Sequence, residues 1–503
     1  MRNARFSLAQ QFINIGLAIG LVPYLLWQLG TQGYGLWLVL QLFNIFGLMA
    51  LADLGFQGAL IRHFVRHHAH GEVAEFQRLL STALALFAAI GVTCALAVAL
   101  FAQTAFTALF DIPAPQQSTM RLALTVYSLN LAVSFPLLVI KAVYSGTQDV
   151  ATLKLWEVIE RIIFALLVVG TLFIERSLLA LVVCELIALA IAAAALTVAA
   201  RRRHRPWCSP RLSLVSGRGL DKVAGMSGLM FVYNAANQLF VKGPEVLVGM
   251  TLGASALAYF TIATRIPRVL KSLQSAINAA VLPHASLLEA QSGTAGAKGR
   301  FTLAGLRTSY LVMVPVSVFL IVFAPEILHL WVGEDYVWLR TFMVAALAWQ
   351  VFGIVGTFGG ATLTSNAQLR MPAWASLALN AGLLTVLAFT LERIGLAGLF
   401  AALLAAGLIG SGIMLQAVHH ANGFGYAAFG RSVVVGPVML SGAIGLVLFS
   451  AARWLALAHG YSALLFATLA AGLVYLATLY ALILAPHERL AVTRLFARTQ
   501  KSR

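Results

Sequence analysis

The sequence predicts an all-α polytopic membrane protein with about fourteen transmembrane helices. Three observations carry that prediction. Of the 503 residues, 60% are hydrophobic and only 10% are charged, against roughly 25% charged in soluble domains. Apolar runs of about 20 residues, enough for a helix to cross the hydrocarbon of a bilayer, recur from one end of the chain to the other. Lysines and arginines between those runs gather on alternate connections.

In order, the runs lie near 7–28, 36–60, 79–102, 121–144, 155–174, 178–200, 226–251, 254–283, 303–325, 337–363, 373–391, 395–418, 432–452 and 462–485. The first follows MRNAR. Its apolar stretch is too long for a secretory signal and no small-residue cleavage site follows, so it reads as an uncleaved span. The second ends at the basic HFVRHHAH (63–70), and the sixth ends at RRRHRPWCSPR (201–211). With a cytosolic N-terminus, the cytosolic segments hold 22 Lys and Arg and the outer side five: Arg121, Arg176, Arg340, Arg393 and Arg453. That asymmetry sets the orientation, with both termini cytosolic. It also accounts for most of the net charge of +17 without nucleic acid.

Short connections leave no room for a separate globular domain. Cys94, Cys184 and Cys208 are scattered, with no CxxC and no disulfide framework. The four histidines of HFVRHHAH stand beside Arg62 and Arg66, which oppose a bound cation, so a loop at anionic headgroups is the better account than a metal site. No nucleophile elbow, metal-ligand cluster or phosphate-binding glycine loop is visible, and no cofactor is implied.

The chain repeats itself. LGTQGYGLW (29–37) joins the first two spans and LGASALAYF (252–260) joins the seventh and eighth, an offset of 223 residues. ALFD (108–111) and HLWV (329–332) match at an offset of 221, after the third and ninth spans. Pro23 and Pro244 each precede a Leu-Gly signature. The near-constant offset predicts a six-helix lobe at 1–200, a basic cytosolic linker at 201–225, a second six-helix lobe in the same orientation at 226–420, and two additional helices with a basic tail at 421–503. Parallel repeats of this kind place a substrate site at their interface, near the midplane.

Expensive residues inside the spans mark candidate sites. In TIATRIPRVLKSLQSAINAAV (261–281), helical spacing puts Arg265, Arg268, Ser272, Ser275 and Asn278 along one drifting face, with Lys271 at its border. At about 1.5 Å per residue from an outer end near 254, Arg265 falls close to the midplane. The seventh span adds Asn234, Gln238 and Lys242 at i, i+4 spacing. Repeat-related positions in the first half, Leu42 and Ile45, are uncharged, so the cations belong to the second half alone. Simpler roles compete: Lys271 can snorkel to the interface, and Lys242 can pair with Glu245 one turn on. Among the acids, Glu157 and Arg161 have the spacing of a structural pair. Glu160 and Glu185 have no local partner, and Asp53 lies near the end of the second span. Asp53, Glu160, Glu185 and Glu245 are the coupling candidates.

The run LGTQGYGLWLVLQLFNIFGLMALADLGFQGALIRHFVR resembles the N-terminal signature of bacterial polysaccharide repeat-unit flippases, in the superfamily of the multidrug and toxin extruders and the lipid II flippase. Gly-x-x-x-Tyr-Gly (30–35), Asp-Leu-Gly-Phe (53–56), Ala59 and Arg62 carry the resemblance, with AYFTIATRIPRVLKSL and LHLWVGEDY (328–336) in the second half. Many members have twelve spans, so the last pair is a departure, as in the lipid II flippase. The resemblance implies two lobes around a central cavity and alternating access in the bacterial cytoplasmic membrane. It further implies an undecaprenyl-diphosphate-linked oligosaccharide as cargo for O-antigen or exopolysaccharide synthesis, and a polymerase and chain-length regulator as partners. Arginine forks suit a diphosphate, which makes Arg265, Arg268, Lys242, Lys271, Asn234, Gln238, Ser275 and Asn278 the expected substrate-binding set. With no nucleotide-binding motif, transport is expected to run on protons or sodium ions as an antiporter. A lipid II flippase or drug exporter is the alternative. A polymerase or ligase would call for a large outer loop that the chain lacks.

Overall fold

In a computed structural model, residues 2–44, 56–216, 228–291, 295–363, 370–459 and 461–483 are described. Every regular element among them is helical. This is the form a chain takes in hydrocarbon, where each backbone N–H and C=O must find its partner within the segment.

The helices are α1 (Arg2–Gln41), α2 (Phe56–Ala69), α3 (Val73–Thr104), the short α4 (Phe106–Leu109), α5 (Gln117–Gly146), α6 (Val150–Ile174) and α7 (Leu178–Arg203). They are followed by α8 (Gly228–Thr251), α9 (Gly253–Gln291), α10 (Ala295–Val322), α11 (Ala324–Val332), α12 (Arg340–Phe352) and α13 (Ile354–Leu363). The last are α14 (Arg370–Asn422), α15 (Tyr426–Phe429), a π-helical segment (Gly430–Leu440) running into α16 (Ser441–His459), and α17 (Tyr461–Thr478). Among the described residues, eight segments are long and apolar enough to cross a membrane. The chain is a multi-pass membrane protein.

Two long helical stretches break inside. A 53-residue helix such as α14 would extend about 80 Å, against roughly 30 Å of hydrocarbon. Its backbone leaves helical geometry at Gly395 (φ 60°, ψ −165°), the first residue of the predicted span 395–418. In α1 the same happens at Gly30 (φ 68°, ψ 176°), between the first and second spans. Gly253, the equivalent of Gly30 in the repeat, also has positive φ (82°) and opens α9 after α8. A Cβ would strain this left-handed backbone, which explains why both signatures read Leu-Gly.

The chain divides into two compact units, Met1–Arg265 with Ala373–Leu399, and Ile266–Pro372 with Phe400–Arg503. In the first, α3 packs on α5, α5 and α6 on α7, and α1 on α6. Tyr127, Tyr144, Phe64, Phe76, Phe87 and Phe135 are fully buried there. Small residues permit the closest approaches: a Cβ on Gly91 of α3 would lie 2.9 Å from the Leu131 carbonyl oxygen of α5. The two repeat signatures meet as well. A Cβ on Gly35 would lie 2.0 Å from the Ala254 carbonyl oxygen, so only glycine admits this contact. Phe110, from the ALFD motif, touches the end of α8 at Gly249. Asn380 of α14 donates to the Ala236 carbonyl of α8 at 3.1 Å.

In the second unit, α10 packs against α12, α13 and α16. Phe323, Phe449 and Tyr475 form its core, with Phe319 packed on them. The Tyr475 and Ser441 hydroxyls are 2.5 Å apart. Arg453 Nε donates to Glu326 at 2.6 Å.

A candidate cargo face and a polar cavity within the membrane

α9 carries Arg265, Arg268 and Lys271 at three-residue spacing, so one helix face holds all three, each half-buried. Arg265 donates from Nη2 to the Ala18 carbonyl of α1 at 3.2 Å, across the first unit. Arg268 and Lys271 lie in the second unit. One turn beyond is Gln274, which the sequence reading did not single out. It is fully buried, donates to Thr357 Oγ1 at 2.5 Å and accepts from Gln350 Nε2 at 3.2 Å. Its partners come from α12 and α13, too far along the chain for any spacing rule to find.

In α8, Lys242 Nζ lies 3.0 Å from Glu245 Oε2, and the glutamate is buried. The simpler role named for Lys242 is thus the one the fold makes, an ion pair across the Gly243-Pro244 step, although the two residues also stand among the cargo and coupling candidates. Gln238 is half-buried on the same helix. The side chains of Asn234, Ser275 and Asn278 lie outside the described residues, as does Asp53 with most of Asp-Leu-Gly-Phe.

The first unit holds a cavity of about 120 Å³, lined in part by Tyr127 and Glu185 from helices long and apolar enough to cross a membrane. Gln41, Asn44, Tyr127, Asn130, Lys141, Glu160, Arg161 and Glu185 contribute its polar lining. Glu185 of α7 accepts from Gln41 Nε2 of α1 at 2.7 Å, with the Tyr127 hydroxyl of α5 at 3.4 Å. Asn44 in turn donates to Gln41 Oε1 at 2.9 Å. The fold therefore brings Glu160 and Glu185, expected only as separate costly acids, to one cavity. Chemically the site offers two carboxylates, neutral donors and two cations, a set that can hold or release a proton or small cation.

One expected pair is corrected. Glu157 does not pair with Arg161. Its Oε2 is 2.9 Å from Lys154 Nζ, its Oε1 is 3.4 Å from Lys141 Nζ, and Gln10 donates to it at 2.8 Å. Lys141 arrives from α5 and occupies the place that i, i+4 spacing assigned to Arg161. Arg161 lines the cavity with Glu160 and Glu185 instead. The first half therefore carries cations within its predicted spans too, Lys141 and Arg161, at positions unrelated to those of α9.

On the basic side, His67 Nδ1 sits 2.5 Å from Glu72 Oε2. The hydrogen bond from His67 holds the Glu72 carboxyl below its ordinary range. His204 lies 3.5 Å from Asp149, and burial, partly opposed by that acid, pushes the His204 pKa down.

Against known proteins, the chain matches the family described as "Polysaccharide biosynthesis protein" over residues 29–340, starting at the first Leu-Gly signature. No curated protein matches it in sequence. Among solved structures, it is similar to the lipid II flippase MurJ in an inward closed conformation, with a TM-score of 0.71 and 13% identity, covering 95% of this chain and 98% of that one. A multidrug resistance MATE family transporter of the MOP superfamily, in its inward-facing conformation, matches at 0.64 and 14% identity, over 84% of this chain and 96% of that one. A MOP superfamily transporter from Pyrococcus furiosus matches at 0.60 and 14% identity, over 83% and 93%. These likenesses establish a shared fold, and the match over residues 29–340 places the chain, as a member, in the polysaccharide biosynthesis protein family.

Proposed function

We propose that the protein is a transporter rather than an enzyme, and that it flips an undecaprenyl-diphosphate-linked oligosaccharide repeat unit from the cytosolic to the outer leaflet. The observation that carries this reading is the face of Arg265, Arg268 and Lys271 on α9, a helix that the apolar run 254–283 is expected to carry through the membrane, in a member of a polysaccharide biosynthesis family. Intramembrane cations are costly and mark ligand paths, and guanidinium forks match phosphate oxygens in geometry and charge. In this reading the six-helix lobes 1–200 and 226–420 alternate access around the cargo, both termini are cytosolic, and a polymerase with its chain-length regulator takes up the product.

Uphill flipping draws on a proton or sodium gradient, and the cavity around Glu185 and Glu160 is the proposed coupling site. The experiment that tests the cargo reading is R265Q/R268Q, which keeps size and polarity but removes charge and fork. The variant is expected to insert normally while lipid-linked repeat units accumulate on the cytosolic leaflet. Normal export per folded molecule would reject the cargo role. A second reading, lipid II as cargo, is favoured by the MurJ likeness over 95% of the chain. Complementation separates the two: rescue of a lipid II flippase deletion supports the second, and rescue of repeat-unit export supports the first.

A further inference from the structure

The end of α7 and the segment after it frame a groove of about 470 Å³ in the first unit, away from the polar cavity. Its walls are apolar: Leu84 of α3, Pro136 and Ile140 of α5, and Val198 of α7. Arg201, exposed at the end of α7, marks its mouth, and Cys208 is buried in the lining. The predicted crossing of α7 ends at Arg203, so the mouth lies at headgroup depth and the walls lie against acyl chains. Val198 is 47% exposed and Ile191, further along α7, is 45% exposed, so this flank of α7 faces lipid.

The mouth is fixed. Gln77 donates to the Pro206 carbonyl at 2.6 Å, the Arg211 backbone N–H donates to Ser81 Oγ at 3.0 Å, and Trp207 packs edge-on against Phe76. The cations around it are not equivalent. Arg203 is committed to Asp149 at 3.6 Å and to Thr152. Arg201 is exposed and, among the described residues, makes no hydrogen bond or ion pair. Arg202 is equally exposed but does not line the groove. Its charge acts from the same helix end without reaching the same place.

We infer that this groove is a binding site for an anionic phospholipid, with one acyl chain between α3, α5 and α7 and its phosphate on Arg201. A site of this kind combines two attractions that a loop at the membrane surface offers singly: burial of a chain along an apolar wall, and a charge-assisted contact to phosphate at a rigid rim. A free phosphate would use the rim and leave the wall empty. A zwitterionic lipid would fill the wall but bring a compensating cation to the rim. The excess positive charge of Arg201, Arg202, Arg205 and Arg211 favours the anionic lipid.

The test uses the full-length protein, purified and transferred to nanodiscs of mixed phosphatidylglycerol and phosphatidylcholine, with retained lipid read by native mass spectrometry. Phosphatidylglycerol is expected to be retained over phosphatidylcholine by about tenfold, the scale of one charge-assisted hydrogen bond. R201Q is expected to abolish the preference, while R202Q keeps it. V198W, which fills the groove and leaves the rim intact, is expected to release both lipids. Size-exclusion profiles and unfolding midpoints establish that each variant is folded. Equal loss of preference in R201Q and R202Q would mean diffuse surface charge and overturn the site. Competition by inorganic phosphate with no effect of V198W would mean a rim-only anion site and overturn it equally.

Discussion

Replacing Glu157 with Gln separates what the fold shows from what chain spacing suggested. Glu157 contacts Lys154 at 2.9 Å and Lys141 at 3.4 Å, and the Glu157 and Lys141 side chains are only 19% and 15% exposed. Breaking a fully buried pair by removing one partner costs about 3–5 kcal/mol, because the remaining charge is stranded. Here Lys154 sits at the more exposed edge and water reaches part of the cluster. We therefore expect E157Q to destabilise by about 2–3 kcal/mol, below that fully buried range. The decisive quantity is the coupling in a double-mutant cycle. Residues in one ion-pair network couple by roughly 0.5–3 kcal/mol, whereas residues sharing no contact add independently. E157Q combined with K141Q should show about 1–2 kcal/mol of coupling, and E157Q with R161Q almost none. Denaturant unfolding in mixed micelles, followed by tryptophan fluorescence, measures all the corners of both cycles. If Arg161 couples to Glu157 as strongly as Lys141 does, the helical-pair reading was right and the arrangement of α5 against α6 is wrong.

Gly35→Ala should destabilise by about 1–3 kcal/mol, because its Cβ would lie 2.0 Å from the backbone oxygen of Ala254. Gly20→Ala is the control, since nothing lies within 4 Å of its Cβ, and equal unfolding midpoints for the two would refute the close approach. For His204, burial lowers the folded pKa below 6.5, so the unfolded chain binds more protons in the window beneath that value. Its contribution is therefore complete above pH 6.5 and is lost as pH falls through the folded pKa; a pH series of unfolding midpoints should show this slope, and H204N should remove it. Glu72, held low by His67, acts only at the acid end. What it contributes is present above 4.5 and vanishes below, so E72Q should flatten only that limb of the same series. E185Q should insert and fold, keeping an acceptor for Gln41, yet lose uphill transport while downhill exchange of cargo persists. Gradient-driven transport at the normal rate in E185Q would remove the acid from coupling.

The sequence was most informative where a physical rule is local. Hydrocarbon thickness sets the length of apolar runs, so the crossings could be read directly, and the backbone breaks at Gly30 of α1 and Gly395 of α14 fall at boundaries of predicted spans. The Leu-Gly signatures were legible as a repeat, but their cause was not. It lies in the positive φ of Gly30 and Gly253 and in the contact of Gly35 with Ala254, features of backbone shape that no residue spacing encodes. Glu160 and Glu185 stood out because a carboxylate in a bilayer is costly. Their neighbours did not, since Gln41, Tyr127 and Asn44 are cheap enough to pass as ordinary span content. Lys141 was lost for a different reason: a single cation inside a strongly apolar run barely changes the reading of that run as a span. Its acid is 16 positions away on the next helix, where periodicity within one helix is silent.

The arrangement around Glu185 bears on how a small cation could act on so large a molecule. The carboxylate belongs to α7, its strong donor Gln41 to the end of α1, and the Tyr127 hydroxyl to α5. Gln41 lies in the half of α1 beyond the Gly30 break, the half joined directly to the signature glycines. As a carboxylate, Glu185 can only accept, and it suits both donors at once. Once protonated, it gains an O–H to donate and accepts more weakly, so its balance of contacts with Gln41 and Tyr127 can shift. If a proton or cation occupies this site, the hydrogen bonds from Gln41 and Tyr127 give it a direct hold on three helices. A ligand shifts a conformational equilibrium only by its difference in affinity for the two states. Here that difference can arise from which of α1 and α5 holds the acid, which is why the cavity, small as it is, is the place where ion binding could be converted into helix movement.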